Sequence, residues 1–158
     1  MTIHPIPRLP RSRVRAVAYL EVDGNDEVNV ARVLRRIDSA RHRDGEKERN
    51  KVAFAMRHWL SGRRDDHLHH GWETDEKFKN GYVFKWDHQH QHRRLYGFVT
   101  KPRPFLEVCV LCCFRAKRTY KTDEEAKRIV RTMIEHPEVK QAVQIAFGQE
   151  RRESWQIH

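Results

Sequence analysis

The residues from Arg93 to Thr122 constrain the fold more than any others in the chain. Two apolar runs, Leu95-Tyr-Gly-Phe-Val99 and Phe105-Leu-Glu-Val-Cys-Val-Leu-Cys-Cys-Phe114, flank the connector Thr100-Lys-Pro-Arg-Pro104. Runs of this length, rich in β-branched and aromatic residues and bounded by proline and charge, read as neighbouring antiparallel strands with the connector outside both. Their outer ends are basic. Arg93 and Arg94 lead into the first run, and Arg115, Lys117, Arg118 and Lys121 lead out of the second, with Tyr120 among them. A hairpin sets the start of one strand beside the end of the next, so these cations are expected to converge on one sheet edge. Such a cluster repels itself unless an anion sits in it, and phosphate fits. The plainer alternative is a solvated strand end.

The rest of the chain supplies what this hairpin packs against. Val14, Ala16, Ala18, Leu20 and Val22 alternate with Arg15, Val17, Tyr19 and Glu21, the pattern of a half-buried strand, and Asp23-Gly-Asn-Asp26 turns the chain. Val30, Val33, Leu34 and Ile37 repeat at helical spacing. After a charged break from Ser39 to Gly45, a second helix is expected from Glu46 to Leu60, with Val52, Ala55, Met56 and Trp59 inward. The polar, His-rich segment from Arg63 to Gly81 reads as a loop, and Tyr82, Phe84 and Trp86 mark another strand. Thr122-Asp-Glu-Glu125 has the form of a capping box with Thr122 as N-cap, opening a C-terminal helix. The predicted order is β-α-α-β-β-β-α in one α+β domain over 1–158, with tails at 1–12 and 148–158.

Lysine and arginine outnumber aspartate and glutamate by 32 to 22, and the net charge of +10 favours a polyanionic partner, nucleic acid before membrane. No run approaches the roughly 18 apolar residues of a membrane span. The first residues lack the apolar core of a secretory signal, and the three cysteines, all within 109–113, form no spaced disulfide framework. A cytoplasmic setting is expected. Cys109 and Cys113 are placed on one face of their strand and Cys112 on the other, as core packing. His88, His90 and His92 share a face if extended, and such a set can bind zinc or nickel. Their spacing, with His67, His69 and His70 nearby, matches no specific metal signature, so the histidines read as a solvated connector and no cofactor is expected.

The element order and the basic strand ends resemble the RelE/ParE toxin superfamily, and within it the HigB-like branch. The resemblance rests on Arg94-Leu-Tyr-Gly-Phe98, similar to the branch's third-strand motif, and on Val110-Leu-Cys-Cys-Phe-Arg-Ala-Lys-Arg-Thr-Tyr-Lys-Thr122, similar to its last strand and basic exit. It covers about residues 82–130, and before that only the order of elements. The exit run is one residue longer than the branch's usual form, and Cys112-Cys113 replaces its common His-Gly. The resemblance implies a RelE-like antiparallel sheet carrying a helical hairpin and a C-terminal helix. It also implies a toxin of a type II toxin-antitoxin system that cuts mRNA on the ribosome and is silenced by an acidic antitoxin protein. The family's basic positions fall on Lys85, Arg94 with Arg93 beside it, and Arg115 backed by Lys117; its C-terminal aromatic position falls on Tyr120.

Cleavage through attack of a ribose 2′-OH on its own phosphate needs a proton acceptor, a proton donor and stabilisation of a dianionic phosphorane. Arg94 and Arg115 suit the last task, because a guanidinium stays charged and offers a planar fork of donors; Lys85 and Lys117 would assist. Tyr120 or a histidine of the 88, 90 and 92 set is the candidate base, with Tyr120 as a base-stacking platform the alternative. Arg93, Arg118 and Lys121 are candidate RNA contacts. Two rival functions stand beside the nuclease: a binding protein on the same fold without catalysis, such as a ParE-like inhibitor or a mobile-element accessory factor, and a plain nucleic-acid-binding module.

Overall fold

A computed structural model describes residues 1–72, 80–117 and 123–149. Six strands and four helices follow one another as β1 (Thr2–Pro5), β2 (Arg15–Glu21), α1 (Val30–Ser39), α2 (Arg43–Leu60), β3 (His69–Gly71), β4 (Gly81–His88), β5 (Gln91–Arg103), β6 (Leu106–Lys117), α3 (Glu124–Glu135) and α4 (Pro137–Phe147). The strands form one open sheet in the order β1-β2-β6-β5-β4-β3. Every pairing is antiparallel except β2 with β6, so the sheet is mixed rather than wholly antiparallel. The crossover through α1 and α2 carries the chain from β2 to β3 at the far edge, four positions along the sheet, and β6 returns to lie beside β2.

The helical hairpin covers one face. Val30, Val33 and Ile37 of α1 and Val52, Ala55, Met56 and Trp59 of α2 are buried, as their spacing predicts. Trp59 packs on Tyr82 and Phe84, at ring-centroid distances of 5.9 and 6.1 Å. Helix α2 starts earlier than expected because His42 caps it, its Nδ1 accepting from the Gly45 amide at 2.9 Å. The other face carries α3, whose N-cap is Asp123 rather than Thr122; its carboxylate accepts from the Ala126 amide at 3.0 Å. Thr122 lies outside the described residues. His136 ends α3 and caps α4, where Pro137 occupies the first turn, so the C-terminal helix is divided at that proline.

Part of the expected tail at 1–12 is strand β1, paired to β2 from Thr2↔Glu21 to Pro5↔Ala18, and the expected loop from 63 contributes the short edge strand β3. The proline connector also belongs largely to a strand. β5 runs on through Pro102 because the β5–β6 register slips between Thr100 and Arg103, where no ladder amide is demanded of the imino acid. Only Pro104 and Phe105 form the turn, between the pair Arg103↔Leu106.

A second irregularity organises the central hairpin. Phe98 faces Val110 and Gly97 faces Leu111, but Tyr96 faces Cys113, so Cys112 is an extra residue in β6. A Cβ on Gly97 would run into the Val110 carbonyl oxygen and lie 2.9 Å from the Leu111 Cα; glycine is what lets the bulge close. The bulge overturns the expected cysteine placement. Val110 and Cys113 both oppose residues of one β5 face, so Cys109 and Cys113 point to opposite faces. All three thiols are buried and unbridged. Burial pushes the Cys113 thiol up to about 11 and Cys109 and Cys112 higher, which leaves them as packing groups.

Candidate phosphate-binding site

Residues two apart on a strand share a face, and the β4–β5–β6 register builds three rows of such residues on the face that carries α3. Val83, Tyr96 and Cys113 form one row, Lys85, Arg94 and Arg115 the next, and Asp87, His92 and Lys117 the third. The middle row depends on the bulge. Had the pairing of Phe98 with Val110 continued without it, Arg94 would face Phe114, and Arg115 would lie on the opposite side of the sheet.

Arg94 is only 9% exposed. Its Nε has no hydrogen-bond partner, and Arg94 has no ion pair among the described residues, while Lys85 feels the charges of Asp66, Asp65 and Asp87. Like charges directly opposite on a sheet repel one another, and an anion bound among them would relieve that repulsion. The Lys85 ammonium is pulled below its ordinary pKa, first by burial and then by the Arg94 charge. Arg115 is partly compensated from the start of α3, at 3.5 Å from Asp123 and 3.2 Å from Glu125. Lys117 stands 3.9 Å from Asp123 and 5.8 Å from the centre of the Tyr96 ring, and burial lowers its pKa too.

Beside the basic row lies a pair that sequence spacing did not single out. His92 Nδ1 is 2.7 Å from Asp87 Oδ1 across the β4–β5 ladder. A carboxylate against Nδ1 orients the imidazole ring. The expected common face of His88, His90 and His92 does not form. Gln89 and His90 both adopt positive φ in a two-residue turn, which puts His90 at the tip and sends His88 to Asp44 at 3.1 Å. Among the described residues no three His, Cys, Asp or Glu side chains converge as a metal site.

Arg93 is not in the set. Alternation puts it on the α2 face, where Glu48 accepts from its Nη1 at 2.9 and 2.7 Å and from Trp86 Nε1 at 3.0 Å. Tyr120, Arg118 and Lys121 lie outside the described residues. A further residue, Asn29, steadies β6 where β2 no longer pairs with it. Its Oδ1 accepts from the Phe114 amide at 2.8 Å and its Nδ2 donates to the Phe114 carbonyl at 3.2 Å, immediately before Arg115. An asparagine imitating a strand neighbour has no local sequence signature.

The arrangement can hold a phosphate by Lys85, Arg94 and Arg115 together, with an oriented imidazole one row away. No family model, curated protein or solved structure matches the chain. No helix among the described residues is long and apolar enough to cross a membrane.

Proposed function

We propose that this chain is an RNA-cleaving toxin of the RelE/HigB type, acting on mRNA at the ribosome and held silent by an acidic antitoxin protein. The observation that carries the reading is the in-register row Lys85–Arg94–Arg115, with Arg94 buried and without a counter-ion among the described residues. The segment order β2-α1-α2-β4-β5-β6-α3 follows the arrangement that the resemblance implies, with β1, β3 and α4 added. The bulge at Cys112 brings Arg115 opposite Arg94.

In this reading Arg94 and Arg115 grip the non-bridging oxygens of the scissile phosphate and stabilise the phosphorane. His92, held by Asp87, takes the proton of the attacking 2′-OH. Lys85, whose lowered pKa makes it the readier acid, protonates the departing 5′ oxygen. The products are a 2′,3′-cyclic phosphate and a 5′-hydroxyl. The experiment is induction of the protein in a bacterial host with mapping of mRNA ends, beside Arg94→Ala and Arg115→Ala. Growth arrest with new cuts in translated messages, both lost in the double variant, supports the toxin. Arrest without cuts, or cuts indifferent to both arginines, refutes it and leaves a binding protein of this fold.

A further inference from the structure

The closed end of the β5–β6 hairpin carries a second feature, remote from the phosphate site. Nine residues of strand separate Arg94 from Pro104, about 30 Å at the usual rise. The turn consists of Pro104 and Phe105, and Phe105 has φ +66°. Proline followed by a positive φ is the pattern of a type II turn, whose second central position favours glycine or asparagine. A phenylalanine there carries a strained backbone, and its ring is 90% exposed. Neither the turn nor the core needs that ring. Around it lie Lys101, without an acidic partner among the described residues, the half-exposed Val14, and Glu107, which pairs with Arg15 at 3.8 Å; Arg103 turns into the neighbouring cavity with Ile3 and Leu106.

We infer that Phe105, with Lys101 beside it, is an RNA-docking wedge that stacks on an unpaired nucleobase while the lysine takes a flanking phosphate. An exposed aromatic ring bordered by a cation is what single-stranded RNA requires, because every base has a face to stack and every linkage a charge to neutralise. The protein's net charge of +10 draws the same partner. A lipid surface fits less well, since one ring and one valine offer little apolar area to insert. The inference is independent of catalysis, and the hairpin then meets RNA at both ends.

The test uses the full-length protein carrying Arg94→Ala and Arg115→Ala, so that the first site does not contribute. Its binding to a short fluorescein-labelled oligoadenylate is measured by anisotropy. Phe105→Ala is expected to weaken binding by roughly five- to a hundred-fold, the range for loss of one base stack, with Phe105→Trp restoring it. Phe105→Gly is expected to weaken binding equally while raising the melting temperature, since it removes the strain; this separates docking from folding. Binding that changes less than about two-fold in Phe105→Ala, against that same stacking range, overturns the inference. So does Phe105→Leu binding as well as Phe105→Trp, or Phe105-dependent capture by phosphatidylserine vesicles without any on oligoadenylate.

Discussion

Arg94 and Arg115 stand directly opposite each other on adjacent strands, on the same face of the sheet. Two guanidiniums so placed repel each other, which Asp123 and Glu125 beside Arg115 offset only in part. Replacing Arg94 with methionine keeps the side-chain volume and removes the buried charge. At low ionic strength, Arg94→Met is expected to raise the melting temperature by about 2–4 °C, as a gain near 1 kcal/mol would in a chain of this size. Inorganic phosphate should stabilise the wild type and leave the variant unmoved. Thermal unfolding with and without phosphate reads both effects; a lower melting point for the variant speaks against an uncompensated charge.

The bulge makes two opposite expectations. Gly97→Ala forces a methyl group against the Val110 carbonyl, and is expected to cost about 2 kcal/mol or more. Deleting Cys112 removes the surplus residue, yet by register Arg115 still faces Arg94. Urea unfolding of Gly97→Ala and oligoribonucleotide binding by the deletion variant check them: the first should be destabilised, the second should still bind.

Asn29→Ala leaves the Phe114 amide and carbonyl without their partners beside the site. A loss of about 1–3 kcal/mol in denaturant titrations is expected. RNA binding should weaken less than in Arg115→Ala, because the guanidinium itself remains.

His69 provides a pH signature. Its Nδ1 lies 2.7 Å from the Tyr82 hydroxyl and its Nε2 3.0 Å from His58, and burial, then the His58 and Arg15 charges, push its pKa down to about 4. Unfolded, it titrates near 6.5. Between those values the unfolded chain holds the extra proton, so stability is full above about pH 6.5 and falls as pH drops toward 4, by on the order of 2–3 kcal/mol. The difference in urea midpoint between wild type and His69→Gln, followed from pH 7 to 4, should shrink accordingly; a constant difference would mean that His69 titrates normally.

What sequence made legible were the features written in local periodicity. The alternation of Tyr82, Phe84 and Trp86, the helical spacing of Val52, Ala55, Met56 and Trp59, and the charge at both ends of the central hairpin each translate directly into position. Arg94 and Arg115 were singled out by that charge and Lys85 by the family resemblance, and the register sets the three in one row. Arg93 was misplaced because its neighbour carries the same charge, and only the register says which of the two turns toward α2. The Cys112 bulge, the parallel pairing of β2 with β6, the Asp87–His92 contact and the Asn29 clamp all arise from pairing between segments far apart in sequence, and no local pattern encodes them. Phe105 was hidden for another reason: it read as the first apolar residue of a strand, whereas Pro104 draws it into the turn.

The most direct measurement is cleavage of a translated message on purified ribosomes by the purified protein, with the cut nucleotide replaced by its 2′-deoxy form. A 2′-hydroxyl nucleophile gripped by Arg94 and Arg115 predicts a 2′,3′-cyclic phosphate on the unmodified message. It also predicts no cut at the deoxy position, and none anywhere with Arg94→Ala. Cutting that survives the deoxy substitution, or survives Arg94→Ala unchanged, would contradict it.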